Sequence, residues 1–204
     1  MIIYLVRHGQ TDWNAELKVQ GVTDIPLNET GLAQAAKARE LMKDIPLDVI
    51  YSSPLARAWR TAEIINEYHH VPLIAEPRIM ERNYGIYEAK HYDEYPGVEF
   101  WNYDLNKRFE GAETVQEVFG RIYACLDEIR AKHPGKSVML AMHGGAARAV
   151  HVYFNGFPAG GTLKSLVTPN AEPIRFEIAD DAPLHTAIPL HAVGGCGQTE
   201  GGRK

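Results

Sequence analysis

Four short apolar runs constrain the fold most. MIIYLV opens the chain, and DVIYSS at 48–53, SVMLAM at 137–142 and IRFEIA at 174–179 follow it. The first and third lack the polar–apolar alternation of a half-exposed strand, so they predict strands covered on both faces, as in a parallel sheet. The stretches between them are long enough to hold crossover helices. A helix is predicted over about 30–43, with Leu32, Ala35, Ala36 and Met42 on one side. Ser53 before Pro54 reads as an N-cap followed by proline in the first turn, opening a helix that runs to about Tyr68 and buries Leu55, Trp59, Ala62 and Ile65. A short strand near 72–75 follows. Residues 76–112 are irregular and rich in tyrosine, with a short helix near 98–107. Thr114 to about Lys132 carries Val115, Val118, Ile122, Cys125 and Ile129 at helical spacing. Gly144 and Gly145 then turn the 137–142 strand into a helix over about 146–154.

Strands alternating with helices predict an α/β fold: a three-layer α/β/α sandwich around a mostly parallel sheet. At 204 residues the chain suits one domain, taken here as 1–190, with 86–112 a lid-like insertion and 191–204 a glycine-rich, flexible tail. A formal charge of −5 argues against a nucleic-acid partner while leaving room for a small cationic site. No apolar run reaches membrane-spanning length, and MIIYLV is too short for a signal segment, so no membrane partner is expected. Cys125 and Cys196 form no disulfide framework, which points to a reduced, cytoplasmic setting. A homodimer is compatible with all of this.

In such sheets ligands sit at the carboxyl ends of the strands. Arg7-His8 ends the first strand, Ser52-Ser53 the second and His143-Gly144 the fourth, while Arg57 falls in the first turn of a helix leaving a strand end. Two arginines beside a helix start make an anion site, and arginine suits the bidentate recognition of phosphate. Two histidines in the same place point beyond binding, because a neutral imidazole is a nucleophile towards phosphorus. Gly9 leaves room for close approach. The nine histidines show no metal-ligand spacing, and no metal or other cofactor is expected.

These residues stand in a recognisable series. LVRHGQTDWN resembles the opening motif of the histidine phosphatase superfamily, which contains the cofactor-dependent phosphoglycerate mutases and related phosphatases. QGVTDIPLNETGLAQA at 20–35, YSSPLARAWRTAEII at 51–65, ERNYGIYEA at 81–89, GAET at 111–114 and LAMHGGAARAV at 140–150 follow in order, over about three quarters of the chain. The resemblance implies His8 as the nucleophile that becomes a phosphohistidine. It implies Arg7, Arg57 and His143 as the cradle of the phosphoryl oxygens, and Glu81 as the general acid. Asn14 and Gln20 look like supporting phosphate ligands, with the Gly144 amide a further candidate. Three positions depart from the pattern. Gln10 stands for a frequent Glu, Met142 for a small hydroxyl residue before His143, and Ala89 for a glycine after the Tyr-Glu pair.

Phosphatases and mutases of this family share the first half-reaction and differ in whether water or a phosphoglycerate takes the phosphoryl group. ERNYG is similar to the mutase version of the acid motif. The mutases carry a longer insertion after it, with an Arg-Arg pair that grips the substrate carboxylate. Here 86–112 is short, and its nearest basic pair is Lys107-Arg108. The expectation is therefore a phosphomonoesterase acting on a small phosphorylated substrate, with a mutase as the alternative. A non-catalytic phospho-ligand module is disfavoured, because the whole catalytic set is present.

Overall fold

The computed structural model describes residues 1–158, 163–179 and 181–182. Five strands form one sheet: β1 (Ile2–Arg7), β2 (Val49–Ser52), β3 (Leu73–Ala75), β4 (Ser137–Met142) and β5 (Ile174–Glu177), in the order β3-β2-β4-β1-β5. All neighbours are parallel except β5, which runs antiparallel beside β1 at one edge. Because both faces of the sheet are covered, successive side chains of one strand enter different cores. Ile3 and Leu5 of β1 join Val138 and Leu140 of β4 on one face, whereas Tyr4 and Val6 join Met139 and Ala141 on the other. Helices α2 (Glu29–Met42) and α3 (Ala56–Asn66) cover the second face. The first is covered by α5 (Val115–Lys132) and α6 (Ala147–Asn155). Two four-residue helices, α1 (Asp12–Ala15) and α4 (Gly97–Phe100), lie in the connections. This is the expected three-layer α/β/α sandwich.

The local signals explain several boundaries. Thr114 caps α5 in a reciprocal capping box with Glu117, and Arg130 and Lys132 lie at the negative end of the helix. Other boundaries differ from the sequence reading. The inward stripe of α2 is Gly31, Ala35, Ala38 and Met42, at helical spacing, and Leu32 faces solvent at 40 % exposure. Small residues are needed because α2 approaches the loop after β1: a Cβ on Gly31 would fall 2.0 Å from the Gln10 carbonyl oxygen. Ser53 is not the N-cap of α3. That helix begins after Leu55, and the carboxylate of Asp24 accepts from the Ala56 N–H at 2.8 Å. Trp59 is only half-buried, and α3 ends at Asn66.

Residues 76–112 fold over the carboxyl ends of the strands as 3₁₀ turns and the short α4, which covers 97–100 rather than 98–107. Phe100 and Phe109 stack at 4.1 Å, Tyr84 stacks on Phe100 at 5.5 Å, and the fully buried Arg82 lies over the Phe100 ring at 4.5 Å. Arg82 also donates to the Glu113 and Phe100 carbonyls, so its charge is spent holding this segment together. Ala89, in place of the usual glycine, keeps a left-handed turn at φ 67°. Such a conformation costs an L-residue roughly 1–2 kcal/mol. Among the described residues no helix is long and apolar enough to cross a membrane. The predicted tail at 191–204 lies outside the described residues.

Candidate active site

The register of β1 on β4 pairs Arg7 with Met142, so the residues that follow, His8 and His143, emerge side by side. The His8 N–H donates to the Met142 carbonyl at 2.9 Å, and the two imidazoles lie 5.2 Å apart. His8 Nδ1 is 2.7 Å from the Gly9 carbonyl oxygen. A carbonyl can only accept, so Nδ1 carries the proton and Nε2 keeps its lone pair. Desolvation, then the positive charges of Arg57 and Arg7, hold the His8 pKa well below the ordinary imidazole value. His8 is thus a neutral base of defined tautomer. Its backbone is pinned from both sides: Thr61 Oγ1 accepts from the Gly9 N–H at 3.1 Å, and Asn170 Nδ2 donates to the His8 carbonyl at 2.7 Å. Gly9 is required by packing rather than by a ligand, since a Cβ there would lie 2.4 Å from the Gly31 carbonyl oxygen.

Arg7 and Arg57 flank this histidine. Arg57 is fully buried and donates to the Thr23 and Gly21 carbonyls at 2.8 and 2.7 Å; Arg7 donates to the Thr168 carbonyl at 2.9 Å. Among the described residues neither pairs with a carboxylate, and the Nε atom of each is buried without a hydrogen bond. Desolvation lowers both pKa values, although both remain cationic at neutral pH. Two desolvated cations with carboxylates nearby but none paired to them are costly, and an anion between them lowers that cost. His143 is placed differently from the expectation. It is fully buried and is not among the residues that line the cavity, with its ring beside that of His8 and Nε2 2.8 Å from Ser53 Oγ. Desolvation and the nearby arginines hold it neutral too. Ser53, the residue after the neighbouring strand β2, supplies the hydroxyl that Met142 lacks.

Glu81 stands at the start of α6. The N–H groups of Gly145 and Ala146 donate to its two carboxylate oxygens at 2.8 Å each, and the Arg82 N–H adds a third bond at 2.8 Å. Gly145 permits this contact: a Cβ there would fall 2.4 Å from Glu81 Oε1. The Glu81 backbone is anchored by Arg121 of α5, which donates to the carbonyls of Arg78, Met80 and Glu81 while paired with Glu113. Arg121 escapes a reading of the sequence, where it passes for one polar residue on an amphipathic helix.

A cavity of about 390 Å³, a size suited to a small molecule, collects most of the expected residues: Arg7, His8, Asn14, Gln20, Arg57, Glu81 and Gly144 all line it. Asn14 Oδ1 is engaged by Thr11 in the capping box of α1, which leaves Nδ2 for the cavity. Gln20 is buried, with Oε1 unpartnered. Gly144 packs against the Arg7 guanidinium, where a Cβ would lie 3.1 Å from Nε. The aromatic segment divides: Tyr84, Tyr92 and Tyr95 line the cavity, whereas Trp101 and Phe100 are core. Arg148 and Lys164 also line it and were not singled out from sequence. Lys107 and Arg108 do not reach it; they pair with Glu99 and Glu117 on the surface.

Fold and site together define an α/β enzyme that gathers paired histidines, buried arginines and a carboxylate at the ends of adjoining parallel strands. A model of the histidine phosphatase superfamily (branch 1) matches residues 3–188. An uncharacterized phosphatase, PhoE of Bacillus subtilis, is 40 % identical over 158 residues, 76 % of this chain and 77 % of its own. A probable phosphoglycerate mutase, GpmB of Cronobacter sakazakii, is 36 % identical over 163 residues, 77 % and 76 % of the two chains. Among solved structures, a mycobacterial glucosyl-3-phosphoglycerate phosphatase in complex with VO3 superimposes with a TM-score of 0.75 at 27 % identity, over 85 % of this chain and 90 % of that one. The chain belongs to the histidine phosphatase superfamily.

Proposed function

We propose that the protein is a phosphomonoesterase that hydrolyses a small organic phosphate through a phosphohistidine at His8. The observation that carries this reading is the His8 Nδ1–Gly9 carbonyl bond, which leaves the Nε2 lone pair free at a cavity flanked by two buried arginines with no paired carboxylate among the described residues. Nε2 attacks phosphorus as the bond to the leaving oxygen breaks. Arg7 and Arg57 neutralise the equatorial oxygens, where phosphoryl transfer concentrates charge. Asn14, Gln20 and the Gly144 segment complete the cradle, and the neutral His143 packs beside His8. Glu81 gives its proton to the departing alcohol. Water then attacks the phosphohistidine, its proton passes to Glu81, and the N–P bond breaks to release inorganic phosphate and restore Nε2.

Hydrolysis rather than mutase chemistry is favoured because Lys107 and Arg108, the basic pair of the short 86–112 segment, are occupied with surface carboxylates outside the cavity. The test is release of inorganic phosphate from p-nitrophenyl phosphate with no bisphosphate primer, in the presence of a chelator. Phosphoglycerate interconversion that depends on a bisphosphate and outpaces hydrolysis would reverse the assignment.

A further inference from the structure

Arg57 is aimed by a loop, and the loop is held by a residue outside the cavity. The Arg57 guanidinium donates to two carbonyls, Gly21 at 2.7 Å and Thr23 at 2.8 Å. Both belong to a turn with no helix or strand to stiffen it. A guanidinium fixed by backbone carbonyls is only as well placed as that backbone. Glu88 supplies the stiffness. Its Oε1 accepts from the Val22 N–H at 3.0 Å, and its Oε2 accepts from the Thr23 N–H at 3.0 Å and from the Thr23 hydroxyl. Oε1 also accepts from the Tyr84 N–H at 3.2 Å, three residues after Glu81. The carboxylate thus joins the turn that aims Arg57 to the segment that carries Glu81. Gly21 makes room for it: the residue has φ 57°, and a Cβ there would lie 2.0 Å from Glu88 Oε1. The join continues beside it, where the Ala89 N–H donates to the Val19 carbonyl at 2.8 Å and the Val19 N–H to the Lys90 carbonyl at 2.9 Å. Gln20, which lines the cavity, lies between these two sets of bonds. Glu88 itself is not among the residues that line the cavity, and its negative charge stands near enough to act on Arg57. At an anion site that charge alone is a disadvantage.

We propose that Glu88 is a positioning residue for phosphoryl transfer, which fixes the Gly21 and Thr23 carbonyls so that Arg57 meets the transferred group, and which ties that arrangement to the Glu81 segment. It rests on the phosphatase reading for the identity of the anion only. A carboxylate is needed here rather than an amide. Both oxygens accept from backbone N–H groups, and an amide nitrogen in either place would set donor against donor. Positioning matters because a displacement of about 1 Å, caused far from the reacting atoms, can slow a reaction roughly 10²-fold.

Orthovanadate, a phosphate analogue, is the probe, with affinity measured by calorimetry and turnover measured with p-nitrophenyl phosphate. Glu88→Gln keeps the size of the side chain and removes its charge. Charge alone would make vanadate bind more tightly, and a loss of stability alone would leave the affinity of the folded protein unaltered. Positioning predicts that affinity falls at least about fivefold and kcat/KM roughly 10–10²-fold. In an Arg57→Lys background the same change should weaken vanadate by less than about twofold, because the two residues act as one unit. Thr23→Val removes only the hydroxyl held by Glu88. It should weaken vanadate by about two- to threefold, and it serves if Glu88→Gln does not fold. Tighter or unchanged vanadate binding in the variant that folds overturns the proposal, as does an equal loss in both backgrounds. Weakened, Arg57-dependent binding, with no phosphate released from any ester by the wild-type protein, supports this inference and removes the phosphatase reading instead.

Discussion

At the scale of single residues, the chemistry rests on how each polar atom is spent. His8 uses Nδ1 on its own neighbour's carbonyl, Arg57 uses two donors on the 21–23 loop, and Glu81 uses both oxygens on backbone N–H groups. These residues all border the same cavity. If Glu81 is the acid, Glu81→Gln should slow hydrolysis of alkyl phosphates by roughly 10²–10⁴-fold. The loss should be much smaller for p-nitrophenyl phosphate, whose leaving group needs little protonation. A loss of equal size for both esters, when formation of the phosphohistidine limits the rate, would take Glu81 out of that role. The pairing of Arg7 with His8 was legible because two chemically expensive residues follow an apolar strand directly. Arg148 was not, because one arginine in GGAARAV is an ordinary helix residue until Trp101, far off in the chain, is placed beneath it.

At the scale of elements, catalysis depends on a few close approaches. The start of α6 receives the Glu81 carboxylate only because residue 145 has no side chain. Gly145→Ala should therefore push Glu81 aside and cut turnover of alkyl phosphates by at least about tenfold, with near-native thermal stability. Thr114→Ala should do the opposite. It removes the N-cap of α5 and should cost about 1 kcal/mol in chemical denaturation, with kcat/KM unaltered. If the two variants lose activity and stability in parallel, the site is not separable from the scaffold in this way. Helix α5 and strands β1 and β4 were readable from periodicity and caps, where local preference and burial agree. The start of α3 was not. Ser53 and Pro54 have the form of a helix start, but the Ser53 hydroxyl is committed to His143 and Asp24 caps the helix from a distant loop. The inward face of α2 was misjudged for a related reason: its tight approach to Gln10 selects glycine and alanine over Leu32.

At the scale of the whole molecule, strand order turns separated motifs into one site. Placing β4 between β1 and β2 brings His8, His143 and Ser53 together, and no local pattern in the chain states that order. Burying two neutral histidines has a thermodynamic consequence. In the native state His8 and His143 stay unprotonated well below the ordinary imidazole value of 6.5, whereas the unfolded chain takes up protons there. The unfolded state then binds more protons, so stability rises with pH in this window and is lost as pH falls below about 6.5. The slope is up to about 1.4 kcal/mol per pH unit for each histidine. Urea midpoints at pH 7.5 and 5.5 should show that fall, and it should shrink in the His8→Gln/His143→Gln double variant. An equal fall in the double variant would mean that other groups carry it.

The central claim is that His8 Nε2 takes the phosphoryl group, and trapping that bond tests it most directly. Wild-type protein mixed with a ³²P-labelled phosphomonoester and quenched within milliseconds in alkali, which spares phosphohistidine, should retain label on the peptide containing residue 8. The label should be released by brief acid treatment and be absent from His8→Ala, which should also fail to release inorganic phosphate. Label on another residue, or hydrolysis that persists in His8→Ala, would contradict the account.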